Sequence, residues 1–184
     1  MNVPGWVKGA ELSLEAALTK ADRVHLDTLF EKGEYELFPT AISTGGALGG
    51  LVDYPRVNMP EWSISGGAEH RFAMNDGGAI VLSADAHYES GSWLRPVAFT
   101  ARRPGDYRDA FVTENIDLGY EAADGKWSVT GFVDNLTNEA VIGTGTAGTV
   151  SAGPFYRPPT NAADARYATL QPPRTYGVRF AAKF

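Results

Sequence analysis

Glycines spaced as Gly143-Thr-Gly-Thr-Ala-Gly148 fit the G-x-G-x-x-G pattern that cradles a dinucleotide pyrophosphate. That chemistry needs the glycines to end a strand and open a helix, whose N-terminus then faces the phosphates. Thr149-Val-Ser-Ala-Gly-Pro-Phe-Tyr-Arg-Pro-Pro159 follows instead, and its prolines stop any helix of useful length. The segment reads as a loop. His25, His70 and His87 lack the i, i+4 spacing of metal-binding pairs. Asp85 and His87 share one strand face and can hold a cation weakly, but they read as polar wall residues. Glu11, Glu15, Asp85 and Asp117 could pair across the interior of a closed barrel, although charges on an interior-facing strand face are the default. No serine sits in a nucleophile-elbow context, and no Ser/His/Asp set can be assembled. Asn135-Leu-Thr137 matches a glycosylation sequon formally but reads as a turn. The sequence therefore predicts no catalytic constellation, no cofactor and no resident metal.

Arginines and aromatics offer a different chemistry. Arg95, Arg102, Arg103, Arg157 and Arg166 lie between the periodic segments with Trp93, Tyr107, Phe155 and Tyr156. Guanidinium groups and aromatic faces capture anionic or aromatic ligands, and binding residues concentrate on loops. Trp93, Arg95, Arg102, Arg103, Tyr156 and Arg157 are the candidate ligand contacts.

Composition narrows the setting. At 184 residues the chain suffices for one domain. No run of about 18 apolar residues exists, so a transmembrane helix is not expected. Absence of Cys removes disulfides, thiolate nucleophiles and thiolate metal sites. A net charge of −6 argues against nucleic acid, which wants a basic face. The first residues, Met1-Asn-Val-Pro-Gly-Trp6, lack the layout of a secretory signal.

The elements that must position any site alternate with period two. Residues 8–18 set Ala10, Leu12, Leu14, Ala16 and Leu18 against Glu11, Ser13 and Glu15. Helix propensity over 9–21 competes there, and the alternation of every other segment favours strand. A turn at 19–22 leads to a strand over about 23–34, with Val24, Leu26, Thr28 and Phe30 opposite His25, Asp27 and Glu31. After a loop over 35–59, Trp62, Ile64, Ala68 and Phe72 oppose Ser63, Ser65, Glu69 and Arg71. Asn75-Asp-Gly-Gly78 is a hairpin turn. Ile80, Leu82, Ala84, Ala86 and Tyr88 return against Ser83, Asp85, His87 and Glu89, before a loop over 90–108. Ile116, Leu118 and Tyr120 oppose Asp117, Gly119 and Glu121. Past the turn at 123–126, Trp127, Val129, Gly131 and Val133 oppose Ser128, Thr130 and Asp134. A loop over about 138–172 precedes a last strand in which Tyr176, Val178, Phe180, Ala182 and Phe184 share one face. The count is seven strands, with short turns at one end and long loops at the other. That asymmetry, with alternation running to the last residue, suits an antiparallel transmembrane β-barrel with short periplasmic turns and long extracellular loops. Trp62, Tyr88, Tyr120 and Trp127 then fall as interface girdle residues.

Four segments carry a resemblance. Tyr176, Val178, Phe180 and the final Phe184 resemble the C-terminal signature by which outer-membrane barrels are recognised for insertion. Trp127-Ser-Val-Thr-Gly-Phe-Val-Asp-Asn-Leu-Thr-Asn-Glu139 resembles the penultimate strand of TonB-dependent outer-membrane receptors, with Trp127, Asn135 and Leu136 at the motif positions. Pro172-Pro-Arg-Thr-Tyr-Gly-Val-Arg-Phe-Ala-Ala-Lys-Phe184 is similar to the last strand of that family, through Pro173, Arg174, Gly177 and the terminal Phe. Asn58-Met-Pro-Glu-Trp62 and Gly9-Ala-Glu-Leu-Ser-Leu14 match how its earlier strands begin.

The resemblance implies a proton-motive-force-coupled importer of bulky, scarce ligands such as siderophores, cobalamin, haem or oligosaccharides. It implies outer-membrane lipid, the barrel assembly machinery and an imported small ligand as partners. The family barrel has roughly 22 strands around a plugged lumen. Seven strands without a plug or energy-coupling motif lead to the expectation of a C-terminal fragment, over 1–184, of such a receptor in a Gram-negative cell outer membrane. TonB would be reached only through the missing N-terminal plug region. Truncation, a split locus and a partial gene model all produce such a chain. The rivals are a free-standing eight-strand outer-membrane barrel with a structural or adhesive role, and a soluble antiparallel sandwich or lipocalin-like binder. The first needs a further strand within 40–57 and closure of first strand on last; the second needs the apolar faces turned inward.

Overall fold

The computed structural model describes residues 5–35, 58–94, 107–147 and 166–183, and among them there is no helix. Seven strands form one antiparallel sheet in chain order. They are β1 (Gly5–Ala17), β2 (Asp22–Tyr35), β3 (Trp62–Ala73), β4 (Ala79–Glu89), β7 (Phe111–Glu121), β8 (Trp127–Asp134) and β11 (Thr175–Ala182). Two short ladders lie within the long connections: β5 (Ser92–Trp93) with β6 (Tyr107–Arg108), and β9 (Ile142–Ala147) with β10 (Arg166–Leu170).

The strand expectations hold, including the one where helix propensity competed: residues 9–17 lie in β1. Pairing with β2 over its whole length gives this segment a ladder that its isolated propensity could not foresee. Leu18 is a correction. It lies past the end of β1, in the turn, and its amide donates to the Asp22 carbonyl. The segments read wholly as loops over 90–108 and 138–172 are corrected too, since each contains both strands of a short ladder. Two-residue strands are too short for periodicity to mark, and the Gly-Thr repeat of β9 has no apolar alternation.

The registers bring the apolar positions of all seven strands onto one face. Leu14 lies opposite Leu26, Val24 opposite Ala68, and Ala68 opposite Ala84. Leu82 faces Leu118, Tyr120 faces Val129, and Val129 faces Phe180. Aromatic side chains meet across strands near both ends of this face. Phe30 and Trp62 have centroids 4.8 Å apart at the long-loop end, and Tyr120 and Trp127 lie 5.4 Å apart at the short-turn end. Such pairs add about 0.5–1.5 kcal/mol each beyond the area they bury.

No second layer covers that face: among the described elements, extensive contacts run only between hydrogen-bonded neighbours. Leu12 is 57% exposed and Leu118 56%. Along β4 the apolar Leu82, Ala84 and Ala86 are exposed while Ser83, Asp85 and His87 are half-buried. Along this strand the usual burial pattern of a water-soluble sheet is inverted. The only buried apolar side chains among the described residues are Ala79, Leu94, Phe111 and Val141. The described residues form no second sheet packed on this one, as a two-sheet sandwich would need. Nor is the sheet closed into a barrel. Its edges are β1 and β11, and the first-to-last pairing that a small closed barrel needs is not present. The further strand such a barrel would require, within 40–57, falls outside the described residues.

Each short turn has local chemistry that fits its sequence. In the β3–β4 hairpin the Met74 amide donates to the Gly78 carbonyl at 2.9 Å, and Gly77 adopts φ 85°. The Gly78 amide donates to Asp76 Oδ1 at 2.9 Å and the Tyr120 hydroxyl to Oδ2 at 2.7 Å. The β7–β8 turn repeats the solution with Gly125 at φ 64° and the Lys126 amide on Asp124 Oδ1.

Two predictions follow for the full chain in detergent micelles, unfolded with urea. Gly77→Ala is expected to cost about 1 kcal/mol, because an L side chain is disfavoured at positive φ. The hydrogen bond from Tyr120, then that from the Gly78 amide, hold the Asp76 carboxyl below the usual carboxylate range. A lowered folded-state value stabilises the fold above the ordinary carboxylate range, and this is lost as pH falls through the lowered value. Asp76→Asn should flatten that acid limb, and an unchanged limb would assign it to other carboxylates.

Candidate functional site

The polar face opposite the apolar one is built by the same registers. His25, Gly67 and Asp85 are consecutive partners on β2, β3 and β4. A Cβ at Gly67 would collide with both the Asp85 carboxylate and the His25 ring, so glycine there lets His25 Nε2 reach Asp85 Oδ1 at 3.5 Å across the middle strand. His87 Nδ1 lies 2.8 Å from Ser65 Oγ, and its Nε2 lies 3.2 Å from Glu89. Arg71 pairs with Glu121, and the Ser13 hydroxyl donates to Asp27 at 2.6 Å. Of the four carboxylates expected to pair across a closed barrel, Asp85 and Asp117 pair instead within the open sheet, with His25 and Arg179. Glu11 and Glu15 have no ion pair among the described residues.

The last two strands of the sheet carry a second constellation. A Cβ at Gly177 would lie 2.8 Å from the Phe132 ring, so glycine at this motif position admits the ring against the β11 backbone. Arg179 then stacks on Phe132, with its guanidinium carbon 3.9 Å from the centroid, and donates from Nη1 to Asp117 at 3.0 Å. On the opposite face Tyr176, Val178 and Phe180 are 78%, 72% and 69% exposed, the highest values among the large apolar side chains described. They stand on the outermost strand, with no further strand beyond it among the described residues. Phe184 lies outside the described residues. Trp127, at the start of β8, sits between Tyr120 and Phe180.

Asn135 forms the third constellation. It is buried, takes φ 53°, and follows directly on β8. Its amide accepts from the Glu139 N–H at 2.8 Å and donates to the carbonyls of Glu139 and Pro172 at 3.0 and 3.3 Å. Its backbone N–H donates to Asn115 Oδ1, and the Leu136 N–H to the Glu114 carbonyl. Arg174 closes the knot, giving its N–H to Asn138 Oδ1 at 2.9 Å and its Nη1 to the Leu136 carbonyl at 3.3 Å. The motif residues Asn135, Leu136 and Arg174 are thus brought together, and Pro173 stands between two of the bonded residues. Their job is to set how the chain leaves β8 and enters β11. The sequon reading fails here because the Asn135 amide is buried and bonded.

Arg108 is the residue that sequence reasoning missed. It pairs with Glu89, approaches Ser92 Oγ at 3.4 Å and the Ile142 carbonyl at 3.4 Å, and lies 4.9 Å from the Phe111 ring centroid. It ties β4, β6 and the start of β9 together at the long-loop end. An Arg at the end of a two-residue strand leaves no periodic signal to find it by.

Of the candidate ligand contacts, Trp93 is described, in β5, edge-on to Tyr107 at 5.3 Å. Arg95, Arg102, Arg103, Tyr156 and Arg157 lie outside the described residues, as does Phe155. Arg166 opens β10 and so belongs to a strand. The glycine pattern at 143–148 likewise enters a strand, because β9 spans Ile142–Ala147; the stretch after it, where a dinucleotide site would need a helix, lies outside the described residues. Among the described residues no group of three His, Asp or Glu side chains is arranged to hold a metal ion. What the arrangement does chemically is neutralise charge along one face and lock the connection between the last two strands.

Asn135→Ala is expected to destabilise the chain by about 2–4 kcal/mol, from lost buried hydrogen bonds and a side chain at positive φ. Asn135→Gly, which keeps the backbone conformation, should cost clearly less in the same urea titration. Equal losses would mean that the φ contributes nothing.

No family model matches the chain, and no curated protein matches it.

Proposed function

We propose that this chain is part of the barrel wall of an outer-membrane TonB-dependent receptor, which takes up a bulky ligand of the siderophore, cobalamin, haem or oligosaccharide class. The observation that carries the reading is a face over seven strands, apolar at most of its positions, that no described element covers, with side chains such as Leu12, Leu118 and Val178 more than half exposed. A surface of that extent on a soluble protein would be an aggregation site. In hydrocarbon it is the ordinary outside of a barrel, and the ion-paired face is the ordinary inside.

Dimensions support the same reading. Trp62 and Phe72 stand at the two ends of the apolar face on β3, ten residues apart. At roughly 3.3 Å per residue and a tilt of about 40°, they are separated by about 25 Å along a membrane normal. That matches the height of the apolar band in outer-membrane barrels. The short turns at 18–21, 74–78 and 122–126 share one end, the periplasmic one in this orientation.

Open edges define what the chain does within the receptor. Unpaired backbone groups facing hydrocarbon cost several kcal/mol each, so β1 and β11 require neighbouring strands. Insertion by the assembly machinery and transport belong to the complete receptor. Contact with TonB belongs to a plug region, and this chain contributes wall.

The test is to read the encoding DNA upstream of the Met1 codon in all three forward frames. A plug, further alternating strands and a signal peptide, in frame or frameshifted, are expected. An unrelated upstream gene would overturn the receptor reading in favour of a free-standing small barrel.

A further inference from the structure

The apolar face carries two basic residues among its described positions, Lys8 and Lys32, and the β1–β2 register sets them directly opposite each other. Like charges opposite one another on a sheet repel. Neither has an ion-pair partner among the described residues, although Lys8 Nζ lies 5.1 Å from the Trp6 ring centroid. Both are exposed. The nearest acid on this face is Glu34, opposite Trp6 in the next row, so one carboxylate stands against two ammonium groups.

Their height on the sheet gives the pair its meaning. Ala10 and Phe30 form the row below them, and Phe30 packs on Trp62 at the long-loop end of the apolar band. Amphipathic aromatics mark the headgroup level of a bilayer. Lysines just beyond that level reach into the headgroups while their methylene stems stay against apolar surface. At the short-turn end this face carries no Lys or Arg among the described residues, and Asp22 there is bonded to His70. Positive charge is thus confined to one rim of the band.

We infer that Lys8 and Lys32 together seat the phosphate of an anionic lipid headgroup in the leaflet on the long-loop side. The assignment rests on the membrane reading above and adds a specific lipid chemistry to it. A phosphate between the two ammonium groups removes their repulsion and receives hydrogen bonds from both. The source is lipid because the pair faces outward at the band's edge, where headgroups lie, and is separated by the sheet from the polar face.

The experiment inserts the full chain into phosphatidylcholine vesicles and measures quenching of its tryptophans by brominated phosphatidylglycerol relative to brominated phosphatidylcholine. A preference for the anionic lipid is expected, at about fivefold for each lysine, declining as salt is added. Lys8→Gln with Lys32→Gln should remove it, and Lys8→Arg with Lys32→Arg should keep it. Insertion with no preference, or a preference that survives the glutamine pair, overturns the lipid assignment and leaves the membrane reading standing. Loss of the preference in millimolar inorganic phosphate would assign the pair to the free ion instead. Failure of quenching by either lipid overturns the lipid assignment, while the receptor reading, in which β1 and β11 need neighbouring strands, stands.

Discussion

A slip of one residue in any strand pairing of the large sheet would carry that strand's apolar side chains to the polar face. Six pairings hold seven strands, and all six keep parity. Backbone hydrogen bonds alone do not choose between registers two faces apart. The choice falls to the tight turns at 74–78 and 122–126 and to cross-strand contacts such as Phe30 with Trp62. Everything else in the sheet, from the continuous apolar face to the ion pairs behind it, depends on that parity.

The two ends of the sheet are organised by different means. At the short-turn end, local chemistry suffices: Asp76 and Asp124 each cap their own turn, and glycines take the positive φ. At the long-loop end the bonds run between segments far apart in sequence. Asn135 reaches Pro172, Arg174 reaches Leu136, and Arg108 joins Glu89 to the Ile142 carbonyl. Buried side chains collect there as well, in Leu94, Phe111, Val141 and Asn135. Among the described residues the long-loop end thus has a small packed floor, whereas the sheet between the two ends has none.

Polar and apolar faces place opposite demands on their surroundings. The polar face satisfies itself through His25 with Asp85, Arg71 with Glu121 and Arg179 with Asp117. Exposed pairs of this kind add little stability each in water; they make a face compatible with a wet interior. The apolar face has no such internal solution, and neither do the free edges of β1 and β11. On the function proposed above, a bilayer would answer the first demand and further strands the second. The lysine pair at the rim of the apolar face marks where the bilayer would give way to its headgroups.

Alternation determined most of the fold directly from sequence. Side chains project to opposite faces every residue, so Tyr176, Val178 and Phe180 had to share a face as soon as the segment was a strand. The turns at 75–78 and 123–126 were legible because glycine and Asp have few other uses at such spacing. The resemblance singled out Asn135, Leu136, Arg174 and Gly177 without saying what they do. Only the tertiary structure decided that: an amide bonded across 37 positions, from Asn135 to Pro172, and a ring laid over Gly177. It also decided that Gly67 separates His25 from Asp85 so that they meet, that Arg108 is a tie, and that Lys8 faces Lys32. Each of these is a contact between residues distant in sequence. Side-chain type and local period report what one strand does alone, while partner, register and distance exist only once the strands have paired.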